Sequence, residues 1–426
     1  MNIKKKLLTM AILSALSVSA MAADPTNAEI MQMMKEMKAE MADLKAENKE
    51  LKSDVKDVAS ENENLKGEIG DVADATDEAI KAQVKLSNKT TIGGYGELHY
   101  NNLRDRKGDA NKDEIDFHRF VLFVNHEFND RMRFVSELEI EHSFSGDSDE
   151  DSPGKVELEQ AYIQYDLTQK TSLLGGLFLT PVGILNETHE PATFYGVERN
   201  DVEKNIIPTT WWEGGVMVEH EIMDGLSTNL SMSSGLDSDG VDDSFKPRDA
   251  RQKVAKAEAK TFAYNGRLKY TAIPGVEVAG TINYQDNYCQ NEIAGCGSAT
   301  LYEGHVVYNK DNFGLRALYA WWDIEGSAPK AIGADEQYGY YVEPSYRFND
   351  ALVMGQDIGI FGRYAVWDNS DGSGSITDTE YQQFNFGANW WIDKDVVVKI
   401  DYQIQDVGGG VSQELDGLNL GLGYQF

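Results

Sequence analysis

Residues 415–426, LDGLNLGLGYQF, place Leu418, Leu420, Leu422, Tyr424 and Phe426 at every second position, with Gly417, Asn419, Gly421, Gly423 and Gln425 between them. A period of two is a strand with one apolar face, and here the opposite face is small or polar. The alternation recurs upstream, as in Phe262, Tyr264, Leu268 and Tyr270 against Asn265, Arg267 and Lys269. It recurs again in Val396, Val398, Ile400, Tyr402 and Ile404 against Lys399, Asp401 and Gln403. In a soluble sandwich each apolar face would meet another sheet. The second face carries too many Asn, Gln, Glu and Arg for a core. The pattern therefore predicts an all-β transmembrane barrel of antiparallel strands, apolar outward to lipid and polar inward to water.

Sixteen segments read this way: 91–102, 116–128, 132–142, 155–167, 171–179, 211–222, 226–234, 260–271, 276–285, 299–309, 313–323, 335–348, 357–367, 380–391, 395–405 and 415–426. Their connections alternate between tight turns, at 129–131, 223–225, 273–275 and 349–350, and long loops, at 103–115, 143–154, 180–210 and 235–259. In membrane barrels the short turns are periplasmic, which puts both ends of a barrel over 91–426 in the periplasm. The pairs Trp321-Trp322 and Trp390-Trp391, near strand ends, are expected in interfacial aromatic girdles.

Composition agrees with this class and excludes others. Of 426 residues 41% are hydrophobic, and 39 Lys+Arg against 71 Asp+Glu leave a net charge of −32. No set of long apolar runs exists for a polytopic helical membrane protein. The acidity argues against a nucleic-acid partner, which would need a basic footprint.

Lys4, Lys5 and Lys6 precede an apolar run from Leu7 to Ala20 and the small-residue site Ala20-Met21-Ala22. Residues 1–22 read as a secretory signal peptide, whose removal leaves −35 on the mature chain. Export predicts that Cys289 and Cys296, too few for a four-ligand zinc site, form a disulfide.

Residues 23–75 are expected to be a periplasmic coiled coil. Ile30, Met37, Leu44, Leu51, Val58, Leu65 and Val72 fall on d, and Met34, Met41, Val55 and Ile69 fall on a with the register-setting Asn48 and Asn62. Glu40, Glu47 and Glu61 at g match Lys45, Lys52 and Lys66 at e, which specifies parallel, in-register strands and leaves dimer and trimer open. The coil would hang coaxially below an oligomer of barrels. Residues 76–90 lose the pattern and read as a linker.

The third long loop, 180–210, mixes Glu187, Glu190, Glu198 and Arg199 with Phe194, Tyr195, Ile206 and Ile207. Apolar content in so long a loop predicts an ordered segment folded into the lumen as a constriction. Alternation points Glu97, Arg119 and Glu213 inward, with Glu137, Glu139 and Glu141 as a ladder on strand three. Basic candidates lie elsewhere: Arg267, Lys269, Arg316, Arg363 and Lys399. Acids facing bases would set a transverse field across the pore. The acidic loops holding Asp147, Asp149, Glu150 and Asp151, and Asp237, Asp239, Asp242 and Asp243, could bridge to lipopolysaccharide through hard divalent cations, although no EF-hand spacing occurs.

From about residue 91 the chain resembles the phosphate-selective porin O and P family, through GGYGELHY (93–100), PVGILNE (181–187), FYGVERN (194–200) and the terminal GLGYQF (421–426). The resemblance implies a trimeric sixteen-stranded porin, a constricting third loop, and a terminal Phe426 that serves as a signal to the barrel-assembly machinery. The coiled coil lies outside that family's barrel. Phosphate-selective members resemble one another in a basic lumen, whereas the inward set here is mixed.

No GxSxG, P-loop or HExxH occurs; His126-Glu127 and His189-Glu190 lack the second histidine. No enzyme, cofactor or metal site is expected. The reading is a water-filled channel for passive diffusion of ions and small polar solutes. An envelope-tethering protein acting through its coil is the alternative.

Overall fold

The computed structural model describes residues 27–87, 89–143, 154–240, 244–352, 355–372 and 377–426. The expected signal peptide, residues 23–26 of the coil, and the acidic residues Asp147, Asp149, Glu150, Asp151, Asp242 and Asp243 lie outside them. The chain divides into two units, residues 1–86 and 87–426.

In the first unit, helix α1 (Asn27–Ser87) runs 61 residues. At ~1.5 Å per residue that is roughly 90 Å. The stretch 76–90, read as a linker, is instead helical through Ser87. Loss of a heptad seam does not break a helix: TDEAIKAQVKLS contains no Pro or Gly and is rich in good helix formers. The seam side chains are exposed in the single chain, Met41 by 69% and Val55 by 66%.

The second unit is a closed antiparallel barrel of sixteen strands in sequential order. They are β1 (Thr90–Asp105), β2 (Lys112–Asn129), β3 (Met132–Glu141), β4 (Val156–Asp166), β5 (Thr171–Leu179), β6 (Trp212–Met223), β7 (Leu226–Ser233) and β8 (Ala263–Tyr270). There follow β9 (Val276–Gln285), β10 (Cys296–Lys310), β11 (Phe313–Gly326), β12 (Glu336–Leu352), β13 (Gln356–Asp368), β14 (Tyr381–Asp393), β15 (Val396–Val407) and β16 (Leu415–Gln425). The first loop is shorter than the expected 103–115, because β1 and β2 stay paired to Leu103 and Lys112. Its polar residues sustain the ladder: Asn102 and Arg104 bond Asp113 across the hairpin.

The barrel closes where β1 meets β16. Gly94 and Phe426 exchange both backbone hydrogen bonds, at 3.1 and 2.9 Å, so the terminal residue belongs to the ladder. The period of two is met as physics requires. On β15, Lys399, Asp401 and Gln403 are buried on the inner face, and Ile400, Tyr402 and Ile404 are exposed on the outer one. That outer face is the lipid face. Hairpin turns follow their sequence: Asp224-Gly225 joins β6 to β7 with Gly225 at φ +73°, the left-handed conformation a two-residue turn needs.

Successive strand residues point to opposite faces, so neither tryptophan pair enters a girdle intact. Trp322 is fully buried inside against Trp211, and Trp391 lies inside beneath Arg347, while Trp390 faces outward.

Cys289 and Cys296 are joined as a disulfide with Cα atoms 6.2 Å apart, closing the turn between β9 and β10. A loop this small gives about 2–3 kcal/mol of chain-entropy stabilisation. Reduction of the folded protein is expected to leave the barrel closed and to expose 286–295 to protease. Limited proteolysis with and without reductant checks this, and loss of the heat-modifiable band on reduction would contradict it.

Candidate functional site

The third loop, L3, joins β5 to β6 and carries a short 3-10 turn (Pro191–Thr193) and helix α2 (Asp201–Asn205). Its apolar residues decide where it lies. Val182, Ile184, Val202, Ile206, Ile207 and Trp211 are buried against Leu301, Leu318, Trp322, Tyr341 and Trp367 of the inner wall. Each fully buried aliphatic side chain contributes about 1.5–3 kcal/mol. Inner-face glycines make the room. A Cβ on Gly339 would stand 2.8 Å from Val202, and one on Gly423 would collide with Pro191.

The loop's polar groups bond strands far from its origin. Pro181 O accepts from Asn265 of β8, Ile206 O from Trp322 of β11, Tyr195 O from Arg363 of β13 and Phe194 O from Asn389 of β14. Val197 N donates to Asp401 of β15 at 2.7 Å, and Glu198 accepts from Asn101 of β1 at 3.1 Å. These are inward-facing residues, so L3 lies inside the barrel against the wall opposite its attachment.

Glu203 is the loop's internal anchor and is fully buried. Its Oε2 accepts the backbone N–H groups of Ile184 and Leu185 at 2.8 and 2.6 Å, and its Oε1 accepts the Tyr341 hydroxyl at 2.7 Å. Burial pushes the Glu203 carboxyl above the usual range, against those hydrogen bonds. For Glu198 burial pulls upward too, but hydrogen bonding and charge pairing with His99 hold the carboxyl well below it. Asn200 caps α2 by accepting from Val202 N.

Fastening L3 occupies several residues expected to line an open pore. Arg363 bonds Glu343 and Tyr195 O; Arg316 donates to Thr193 O at 2.6 Å; Lys399 Nζ sits 3.6 Å from the centre of the Phe194 ring. Arg267 grips Glu187 and Asn229. Glu213 is a correction: its carboxylate is taken up by Trp211, Ser234 and Gly235 at the roots of two loops. It is inward but packed. Lys269 lines a recess with Glu187 and Glu219, and Glu190 is half-buried at the start of the 3-10 turn.

The remaining candidates do converge. Glu97, Arg119, Glu141, Glu198 and Arg199 surround one cavity of about 90 Å³. Arg119 bridges Glu97 at 3.2 Å and Glu139 at 3.1 Å, so the strand-three ladder is threaded by a cation. On β13, Arg363 is neutralised by Glu343 of β12. The expected segregation of acids from bases is therefore replaced by local pairing, because a buried charge in a narrow lumen needs a near partner.

Sequence reasoning missed the basic side of this wall that a second loop supplies. Arg248, Arg251 and Lys253 come from the fourth loop, L4 (234–262), which was read as external. Arg248 donates to Thr209 O, and Arg251 to Pro208 O and Thr210 O, so L4 packs on the end of L3. Lys253 pairs with Glu157. Burial and the like charges of Arg251 and Arg199 lower Arg248 to about 10, and it remains charged at neutral pH. The signal was present: 246–260, KPRDARQKVAKAEAK, is a basic run in an acidic chain.

Comparison with known proteins agrees with this architecture. The family model for phosphate-selective porin O and P matches residues 91–409. An uncharacterized protein of Aquifex aeolicus (strain VF5) is 28% identical over 356 residues, covering 76% of this chain and 77% of its own. Among solved structures, Salmonella typhi OmpF in complex with daunomycin superimposes with TM-score 0.54 at 16% identity, covering 79% of this chain and 97% of that one. The outer membrane channel DcaP of Acinetobacter baumannii gives 0.52 at 14%, with the same coverages. Fold and family are those of a channel rather than an enzyme. The closed barrel, its inward polar face and the family match together establish that the chain is an outer-membrane porin belonging to the phosphate-selective porin O and P family.

Proposed function

We propose that this porin passes ions and small polar solutes by passive diffusion, through an aperture set jointly by L3, L4 and the charges of β1–β4. The reading is carried by one observation, the hydrogen bonding of L3 not only to nearby β8 but to β11, β13–β15 and β1, far round the barrel from its attachment. Such a loop narrows the lumen without closing it by side-chain mass alone. The aperture is biased toward anions, since Arg248 and Arg251 bond backbone carbonyls and keep their charge available, while Glu97 and Glu157 are paired. Proteoliposomes in iso-osmotic sugars test the size limit. Swelling rates are expected to fall steeply with solute size, and rates independent of size would overturn the reading.

The protein acts as a homotrimer in the outer membrane, with lipopolysaccharide around its outward face and Phe426 read by the barrel-assembly machinery. Its helix is a parallel coil in the periplasm. Support comes from the exposed seam of α1, which has no partner face within the described residues of one chain. A cysteine at a d position tests it: Leu51→Cys is expected to give an interchain disulfide in the intact protein under mild oxidant. Monomeric chains under those conditions would contradict a parallel, in-register coil. The length of α1 also favours a second role as a spacer or tether within the envelope.

A further inference from the structure

His189, in L3, differs from the other buried histidines of the lumen. His99 and His305 each hold both ring nitrogens against carboxylates, the arrangement of an imidazolium. His189 turns Nδ1 to the carbonyl of Asn186 at 3.2 Å. A carbonyl only accepts, so Nδ1 carries a proton and Nε2 is the ring nitrogen left for another partner. That nitrogen is within hydrogen-bond distance of Glu137 Oε1, at 3.2 Å, and lies 3.7 Å from Glu159 Oε2.

The three side chains are 3%, 1% and 1% exposed. The other carboxylate oxygens are already held: Glu137 Oε2 by Gln160 and Glu159 Oε1 by the Thr210 hydroxyl, each at 2.6 Å. Glu159 Oε2 has no hydrogen-bond partner. The carboxyl group of Glu139 contacts that of Glu159 and is itself paired with Arg119, so it brings no fixed donor to Glu159. A buried carboxylate oxygen without a donor, aimed at an imidazole nitrogen, calls for a cation between them. The spacing fits one: metal bonds of ~2.0–2.2 Å in a tetrahedron put donor atoms about 3.3–3.6 Å apart.

We propose that Glu137 of β3, Glu159 of β4 and His189 of L3 bind one divalent transition-metal ion of the zinc class, which clamps the start of L3 to the barrel wall. The imidazole ligand selects against calcium and magnesium, which take oxygen alone. No short motif announces the site, because its ligands lie on three separate elements. The site goes beyond the channel reading, and ion binding is measurable whether or not the pore conducts.

The test uses full-length folded oligomer in detergent, stripped with chelator and titrated with zinc chloride alone. One zinc per protomer is expected after gel filtration. X-ray absorption is expected to show a single imidazole nitrogen with oxygen ligands and no sulfur. In Glu159→Gln and His189→Gln, affinity is expected to fall by at least about tenfold while heat-modifiability persists. Wild-type protein that retains no zinc, or variants that bind it unchanged, would overturn the proposal. If neither variant folds, the wild-type absorption spectrum decides, and a shell lacking imidazole or holding several would refute it.

Discussion

Glu203→Ala is expected to raise single-channel conductance and make it noisy, with the barrel itself intact. The substitution leaves the Ile184 and Leu185 N–H groups and the Tyr341 hydroxyl without their acceptor in a site closed to water. An orphaned buried donor costs about 1–3 kcal/mol, so the two backbone donors alone weaken loop docking by about 2–6 kcal/mol. That is comparable to burying one or two aliphatic side chains, and it acts on the segment that fills the lumen. Glu203→Gln, which keeps one carbonyl acceptor, is expected to fall between wild type and alanine. Single-channel recording on heat-modifiable protein makes the comparison. Conductance in Glu203→Ala indistinguishable from wild type would show that L3 does not set the aperture.

The second large effect is electrostatic. Reversing Arg248 and Arg251 together to Glu changes the wall of the cavity by four units of charge. At about 8 Å in water one unit charge shifts a permeant ion by about 0.5 kcal/mol, or about 0.2 kcal/mol after screening at 0.1 M salt. Four units act with opposite sign on anion and cation, so the permeability ratio is expected to move toward cations by roughly 10- to 30-fold. The effect is expected to shrink at 1 M salt, where the Debye length is about 3 Å. An unchanged reversal potential would place the two arginines away from the ion path.

Which features could be read from the sequence follows from how locally each is encoded. The strands were legible because Leu418, Leu420 and Leu422, and their equivalents on the other strands, repeat with the backbone's own period. L3 was legible as an ordered loop because Phe194, Ile206 and Ile207 have no reason to be apolar in water. The meaning of individual charges was not. Glu213 and Arg363 both alternate inward, yet one is absorbed by loop roots and the other by Glu343 and a loop carbonyl. Inward direction follows from period two; partnership depends on where two long loops come to rest. L4 was misplaced because the acids at its start drew it outward, although the basic run that follows them packs on L3. The glycines of the inner face looked like mere small residues, and their purpose appears only against Val202 and Pro191. The charge of −32 misleads for the same reason, since it counts the flanks of α1 and every loop together with the few charges that line the cavity.

The central claim is that the folded oligomer is an open, loop-narrowed channel, and recording in a planar bilayer under a salt gradient tests it most directly. Purified, heat-modifiable protein is predicted to insert in discrete conductance steps, with a reversal potential on the anion side. Folded oligomer that inserts without conductance would contradict the account and leave the tethering role in its place.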